Sequence, residues 1–276
     1  MSVAKQASLP ATAAPAPAGA LVDALWRRGL ERVVYGLAGL ALFIVVWRLA
    51  YVYGWAPRGT LPDPLSLPSA LFQEIEAGRL WPAAQSSLVH YFWGLGLGTV
   101  LGIAFGLAAA TIHRFDLLQA YLVRLLRPIP PLAWVVFAIA WFKVSHTGAA
   151  FVIAIGVFWL NYFATYSAVR SVDPRYYELA AAFGHNSYFS RAWTVVLPAI
   201  SPGLLSGVRA GIGQAWMTLI AAELLGVPGM GQEMNAAAGV GAYDAVVVYM
   251  LIISVVYTLC DMLFLTFNKW VLQWQP

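Results

Sequence analysis

The sequence predicts an all-α polytopic membrane protein with about six transmembrane helices. Of its 276 residues, 61% are hydrophobic and only 10% are charged, whereas a soluble domain carries about 25% charged residues. The apolar residues form long segments, and the basic residues lie at the ends of those segments rather than in one cluster. The net charge of +4 therefore indicates orientation in a lipid bilayer, and nucleic acid is not an expected partner.

The chain is predicted to begin with a tail and to continue as one membrane domain. Residues 1–25 contain several prolines among many alanines, which is typical of a disordered segment. Arginines within 27–32 precede the first apolar run and place the N-terminus in the cytoplasm. Residues 26–276 are then expected to form a single transmembrane domain. No signal peptide is expected, because the first long apolar run starts only near Val33.

Hydropathy and length predict the spans in chain order. They are 33–55, 86–112, 117–142, 149–170, 203–225 and 244–267. With the N-terminus inside, most of the 16 Lys and Arg residues fall on the cytoplasmic side, as the positive-inside rule requires. Pro128, Pro130 and Pro131 must break or kink the third span.

Two glycine series recur every four residues, one in the second span and one in the fifth. They are Gly94, Gly98, Gly102 and Gly106, and Gly203, Gly207 and Gly211. Because helices in lipid associate through close approach at small residues, each series predicts a tightly packed helix face. The spacing leaves open whether the partner helix belongs to the same chain or to a second copy.

The segment 171–200, between the fourth and fifth spans, carries helix signals instead of loop signals. Asp173 can cap a helix that starts at Pro174, and Gly184 suits the position just after its end. Tyr176, Ala180 and Phe183 are predicted to share one face of this helix. A second short helix is expected from Asn186 or Ser187 to Leu197, ending before Pro198. Local signals alone allow either a linker or a docking element for a cytoplasmic partner.

Several motifs resemble one family of transport proteins. Glu178-Leu179-Ala180, Gly184 and Val195-Val196-Leu197-Pro198 resemble the EAA motif of permease subunits of bacterial ABC importers. Leu179 replaces the first alanine of that motif, and the interval from Gly184 to Leu197 is one residue longer than the usual pattern. Three further stretches resemble the nitrate, sulfonate, taurine and bicarbonate branch of these permeases, namely 126–134, 61–64 and 222–231.

The resemblance implies a type I ABC importer permease in the bacterial inner membrane that transports a small anion of the sulfonate or taurine, nitrate or bicarbonate type. The implied partners are a second, identical permease chain, two cytoplasmic ABC ATPase subunits and an extracytoplasmic solute-binding protein. Segment 173–183 is implied to be the coupling helix, with Glu178 pairing a basic residue of the ATPase. The coupling residues are Asp173, Tyr176, Glu178, Ala180, Ala181, Phe183, Gly184, Leu197 and Pro198.

The chain itself is not expected to be an enzyme. It has no G-x-x-x-x-G-K-[ST] phosphate-binding loop, so ATP and Mg²⁺ are expected on partner subunits and no cofactor in this chain. His90, His113, His146 and His185 lie on four different segments, and a single cysteine, Cys260, excludes a disulfide or multi-cysteine cluster within the chain. No catalytic residue and no metal site is predicted.

Polar and aromatic residues within or near the apolar spans are candidates for the translocation pathway, because polar groups in lipid are costly. They are Trp134, Lys143, His146, Asn161, Tyr162, Gln214, Trp216, Thr218 and Glu223. Interhelical hydrogen bonds would account for the polar groups within the spans equally well, and Lys143 could reach lipid headgroups. Glu223 is expected to bind backbone amides of the loop 226–231, since its charge would repel an anion.

An ion-gradient-driven secondary transporter or channel is the alternative. That class predicts broken helices in matched halves and paired carboxylates within the membrane. The sequence offers only Glu223 and Asp261 as acidic candidates near the spans and shows no internal duplication.

Overall fold

The computed structural model describes residues 18–57, 59–184, 187, 194, 196–224 and 226–273, with side chains from residue 30 onward except that of Tyr177. The chain divides into two units, Met1–Arg58 and Gly59–Pro276. The first unit contains the helix α1, Ala18–Val52. This helix begins inside the predicted tail, where alanines, the best helix formers, are frequent. Residues 1–17 lie outside the described residues.

The described residues of the second unit form helices joined by turns and short irregular segments, without a strand. Its helices are α2 (Leu67–Glu76), α3 (Leu80–Thr111), α4 (His113–Leu126), α5 (Val135–Phe142), α6 (His146–Arg170), α7 (Pro174–Ala182), α8 (Leu197–Glu223), α9 (Met230–Gly239) and α10 (Tyr243–Val271). A short 3₁₀ helix, Pro131–Trp134, precedes α5. The helices α2 and α9 are additional to the predicted spans.

Among the described residues, four helices are long and apolar enough to cross a membrane, namely Leu30–Val52 of α1, α3, α6 and α10. The predicted third span is a pair of helices, His113–Leu126 and Pro131–Phe142, bent by 92°. The predicted break at the prolines is confirmed. The predicted fifth span falls on α8, whose 27 residues are long enough to cross a membrane, but α8 is not among these four apolar helices.

The glycine series place α6 between α3 and α8. A Cβ atom at Gly98 would lie 2.6 Å from the carbonyl oxygen of Ala154, and one at Gly207 would lie 2.6 Å from the Cβ of Ala164. Both glycine faces therefore contact the backbone or the small residues of α6. The predicted close packing is confirmed, and the contacts are within one chain.

Two ion pairs connect neighbouring helices of the second unit. Arg170 of α6 donates from Nη2 to Oδ2 of Asp116 in α4 at 2.7 Å. Arg209 of α8 donates from Nε and Nη2 to the two carboxylate oxygens of Asp261 in α10, at 3.0 and 3.1 Å. The acidic candidate Asp261 thus neutralises an arginine of the neighbouring helix.

The start of α8 corrects one boundary. Leu197 is the first residue of α8, and Pro198 lies in its first turn, so the prediction that a helix ends before Pro198 is wrong. Proline is accepted in a first turn because its missing N–H would have no partner there. The second short helix is predicted to start at Asn186 or Ser187; Ser187 lies in a bend, and Asn186 and Val195 of the motif lie outside the described residues.

Candidate functional site

The helix α7 lies outside the candidate spans and is closed at both ends by the predicted residues. The Asp173 carboxylate accepts a hydrogen bond from the backbone N–H of Arg175 at 2.9 Å, and Pro174 is the first helical residue. Gly184 follows the helix with φ +84°, a left-handed conformation that glycine adopts without strain. The predicted boundaries of this helix are confirmed.

The apolar side chains of α7 are exposed. Tyr176 and Leu179 are each 55% exposed and Phe183 is 76% exposed, and their spacing places them on one side of the helix. We call Tyr176, Leu179 and Phe183 the α7 face. Glu178 is also exposed. Ala180, which the helical spacing puts on the same side as Tyr176 and Phe183, is only 5% exposed, so the larger side chains form the accessible surface.

The other predicted coupling residues lie around this face. Ala181 is partly buried, and Gly184 and Pro198 are exposed. Leu197 is 38% exposed. The structure therefore presents the α7 face together with an exposed carboxylate and the exposed start of α8, and it uses Ala180 for packing within the chain.

A buried polar cluster lies at the end of the bundle where α3 and α6 begin and α8 ends. Glu223 is fully buried and accepts hydrogen bonds from the Ser87 hydroxyl and the Gly231 backbone N–H, both at 2.9 Å. Nδ1 of His90 lies 2.9 Å from its other oxygen. Nε2 of His90 in turn lies 2.5 Å from Nδ1 of His146. We call these five residues the Glu223 cluster.

Glycines after α8 are required by this cluster. A Cβ atom at Gly231 would lie 2.7 Å from the Cβ of Glu223, and one at Gly229 would overlap its carboxyl group. The Ser87 hydroxyl also accepts the backbone N–H of Met230 at 2.9 Å. The carboxylate thus binds the start of α9 directly and through Ser87. The predicted tie between Glu223 and the backbone of the following loop is confirmed.

Sequence reasoning missed Ser87 and His90 as partners of Glu223. His90 is 1% exposed and Ser87 is fully buried, although both lie in an apolar span. Their spacing of three residues puts them on one helix face, and a buried histidine in a span is costly without a partner. That spacing was the available signal for this cluster.

Most other pathway candidates are buried between helices. Trp216 is 3% exposed and stacks on Tyr91 with ring centroids 4.6 Å apart. Tyr162 donates from its hydroxyl to Gln119 at 2.7 Å. Asn161 donates to the carbonyl oxygen of Val157 at 3.1 Å. The Tyr162 contact is an interhelical hydrogen bond, as the alternative interpretation expects, whereas the Asn161 bond lies within α6 and the Trp216 contact is ring stacking.

The remaining candidates lie in two places. Thr218 donates to the carbonyl oxygen of Gln214 at 2.9 Å, and both side chains lie against Gly156 of α6. Trp134, in the 3₁₀ helix, is partly buried. Lys143 is exposed and has φ +58°, in the turn that leads to α6. The structure therefore brings Glu223 and His146 together through His90, and it groups Gln214 with Thr218.

A second buried carboxylate lies in α2. Glu74 is 5% exposed and accepts hydrogen bonds from Arg79 at 2.6 and 3.0 Å and from the Tyr249 hydroxyl at 2.9 Å. The Arg79 hydrogen bond lowers the pKa of Glu74 from its ordinary value, and burial opposes this effect in part. This cluster attaches α2 to α10.

We expect Glu74 to stabilise the protein only when it is ionised. Because its folded-state pKa lies below its value of 4.5 in the unfolded chain, its contribution is complete above about pH 4.5 and is lost as pH falls through the lower folded-state pKa. The difference in unfolding free energy between the wild type and Glu74→Gln should shrink on acidification from pH 6 toward pH 3. Glu76→Gln, at an exposed neighbour, is the control and should change little. A constant difference for Glu74→Gln across this range would contradict the role of its charge.

The described residues define a multi-pass helical membrane protein with a capped helix outside its spans. The chain belongs to the family of binding-protein-dependent transport system inner membrane components, whose sequence profile matches residues 98–274. It is therefore a permease component of an ABC transport system and a transport protein rather than an enzyme. Membership implies that it works with the other components of such a system, a binding protein and an ATPase.

Relatives and a solved structure agree with this assignment. A putative aliphatic sulfonates transport permease protein, SsuC of Bacillus subtilis, is 29% identical over 87% of each chain. The bicarbonate transport system permease protein CmpB of Synechococcus elongatus is 28% identical over 90% of this chain and 92% of its own. An inward-facing structure of the MetNI methionine ABC transporter has a similar fold, with a TM-score of 0.59 and 18% identity over 72% of this chain and 97% of the other. The type I importer permease fold is thereby confirmed.

Proposed function

We propose that this chain is the permease subunit of an ATP-driven importer of a small anion of the sulfonate or taurine, nitrate or bicarbonate type. Its relatives are named for aliphatic sulfonates and for bicarbonate. The subunit lies in the bacterial inner membrane with its N-terminus in the cytoplasm, where most of its basic residues then fall. Two identical chains form the pathway, and a solute-binding protein delivers the anion on the extracytoplasmic side.

The observation that carries this proposal is the α7 face. Tyr176, Leu179 and Phe183 expose large apolar side chains on a helix outside the candidate spans. Exposed apolar surface of this kind marks a contact with another protein. With the N-terminus inside, α7 lies in the cytoplasm, where each of two ABC ATPase subunits binds one copy of it. ATP and Mg²⁺ are held by those subunits, and α7 transmits their closure to α6 and α8.

Glu178 adds a polar contact at this surface. Its carboxylate is exposed beside the α7 face, where an arginine or lysine of the ATPase pairs with it. A charge pair at the rim of an interface contributes less than the apolar centre. The Asp173 cap and Gly184 fix the ends of the helix, so that the face is presented as a rigid unit.

The gradient-driven alternative is not favoured by the contacts of the acidic candidates. Glu223 is held by three hydrogen bonds from Ser87, His90 and Gly231. Asp261 is paired with Arg209. Within the described residues, these two carboxylates belong to separate clusters, so they do not form the shared ion site that such a transporter requires.

Leu179→Asp is the test of the α7 face. Removing one buried apolar side chain from an interface costs about 1.5–3 kcal/mol, so we expect the affinity for the ATPase to fall about tenfold or more. Affinity is measured by titration of the cognate ATPase against the permease in nanodiscs, and uptake is measured in proteoliposomes with all components. Glu178→Ala should weaken binding less, because the exposed pair is screened by solvent.

Val240→Asp is the matched control for this experiment. Val240 is 82% exposed and follows α9, away from α7 in the chain. It should leave ATPase binding and uptake unchanged. Normal binding and ATP-driven uptake by Leu179→Asp and by Phe183→Asp would refute the docking role. Bulky replacements of Ala180 are unsuitable here, because Ala180 packs within its own chain.

A further inference from the structure

An open groove lies beside the exposed end of the Glu223 cluster, between α3 and α6. Its volume is about 350 Å³, which matches a small organic molecule. Its walls are mostly apolar, with two histidines and a threonine. The lining residues are Val89, His90, Trp93, Leu97, His146, Thr147 and Ala150.

The hydrogen bonds of the Glu223 cluster fix where its protons lie. The carboxylate of Glu223 accepts from Ser87 and from the Gly231 backbone N–H, so His90 Nδ1 completes its partners as a third donor. Nε2 of His90 and Nδ1 of His146 share a single hydrogen. Two hydrogens between them would collide, and without a hydrogen two lone pairs would face each other. The remaining ring nitrogen, Nε2 of His146, makes no hydrogen bond with any described residue.

The number of protons on these hydrogen-bonded groups therefore depends on one exposed atom, Nε2 of His146. When His146 Nε2 carries a hydrogen, the two rings together hold one positive charge, which neutralises Glu223. When it does not, the rings are neutral and Glu223 is left as a buried charge without a counterion, which is costly. Among the described residues, His90 is the only basic group within ion-pair distance of Glu223. The groups that face the cluster are Ser87 and His90 from α3, His146 from α6, Glu223 from α8 and the backbone amides of α9.

We propose that the groove binds a small organic anion, with the acid group on Nε2–H of His146 and the apolar body against Trp93 and Leu97. This inference rests on the proposed function, because it places the site on the extracytoplasmic side, where the anion is delivered. Binding is coupled to protonation. A negative ligand beside neutral rings would add a second negative charge to that of Glu223, so the anion and one proton bind together.

Binding is tested on the full permease chain alone in nanodiscs, with ¹⁵N-labelled histidine and 1-butanesulfonate as the probe. We expect the probe to shift the Nε2 resonance of His146 and to bind more weakly as the pH rises. 1-Butanol has the same alkyl chain without charge and should do neither. Calorimetry in two buffers of different ionisation enthalpy should show uptake of up to one proton for each anion bound.

His146→Gln should abolish both the binding and the proton uptake. His113→Gln is the matched control, because His113 is also exposed and is also the first residue of its helix, α4. Probe binding that is independent of pH, binding retained in His146→Gln, or equal shifts with butanol would each overturn the proposal. These measurements need neither ATPase nor transport. Failure of ATP-driven uptake with intact probe binding would therefore count against the proposed function, and intact uptake without probe binding would count against this site.

Discussion

Gly98→Leu is expected to prevent α3 from packing on α6. A Cβ atom at this position would lie 2.6 Å from the carbonyl oxygen of Ala154 and 2.7 Å from the Cβ of Val157. The first of these is a backbone atom that cannot rotate away, so the helices must separate along the whole glycine series. Overpacking costs about 1–3 kcal/mol where side chains can adjust, and we expect a loss of at least about 3 kcal/mol here.

Unfolding of the purified permease in mixed micelles, followed by circular dichroism, measures this effect. Gly96→Leu is the matched control, because Gly96 lies in the same helix and has no atom within 4 Å of its Cβ position. Both substitutions exchange the same residues in a helix interior, so their difference isolates the contact with α6. Equal unfolding free energies for the two variants would show that α3 and α6 do not pack as described.

The glycine series illustrates which parts of the fold can be predicted from sequence. Glycines at intervals of four residues mark one face of a helix whatever packs against it. The packed faces of α3 and α8 could therefore both be predicted. The partner α6 was not predicted, because its contact residues, such as Ala154, Ala164 and Val157, are common in any apolar span. Its central position depends on two helices meeting it from opposite sides, which no local pattern records.

The same distinction holds for chain breaks and caps. Prolines before α5 predicted a break, since each removes a backbone hydrogen bond, but the bend of 92° depends on tertiary packing. Asp173 and Gly184 predicted the ends of α7 because caps are local. The burial of Ala180 could not be predicted, because adjacent positions on a helix differ by about 100° and only contact with the rest of the chain decides which of them faces inward.

The candidate pathway was the least predictable part of the site. Polar residues in apolar spans indicate that partners exist, and the amides of the loop after α8 were correctly assigned to Glu223. The spacing of histidines along the sequence bears only on metal binding, so it does not indicate that His90 pairs with Glu223. The 133 residues that separate His90 from Glu223 leave no sequence pattern that pairs them.

Glu223→Ala is expected to destabilise the end of the bundle where α9 begins. The substitution leaves the Ser87 hydroxyl, the His90 ring and the Gly231 N–H without their buried acceptor. Removing one partner of a buried, hydrogen-bonded charge pair costs about 3–5 kcal/mol. The loss should appear as a lower free energy of unfolding and as faster hydrogen exchange at the amide of Gly231.

Glu223→Gln separates the charge from the shape of this side chain. The Gly231 N–H and the Ser87 hydroxyl donate to the same carboxylate oxygen, so the amide oxygen can still accept from both, but the amide nitrogen is then a donor that faces Nδ1 of His90. We therefore expect a loss between those of Glu223→Ala and the wild type. Glu233→Ala serves as the control, because Glu233 lies in α9 itself and is only partly buried. If Glu223→Ala unfolded with the same free energy as Glu233→Ala, the carboxylate of α8 would not connect α3 and α9, because a buried acceptor of three hydrogen bonds cannot be removed without cost.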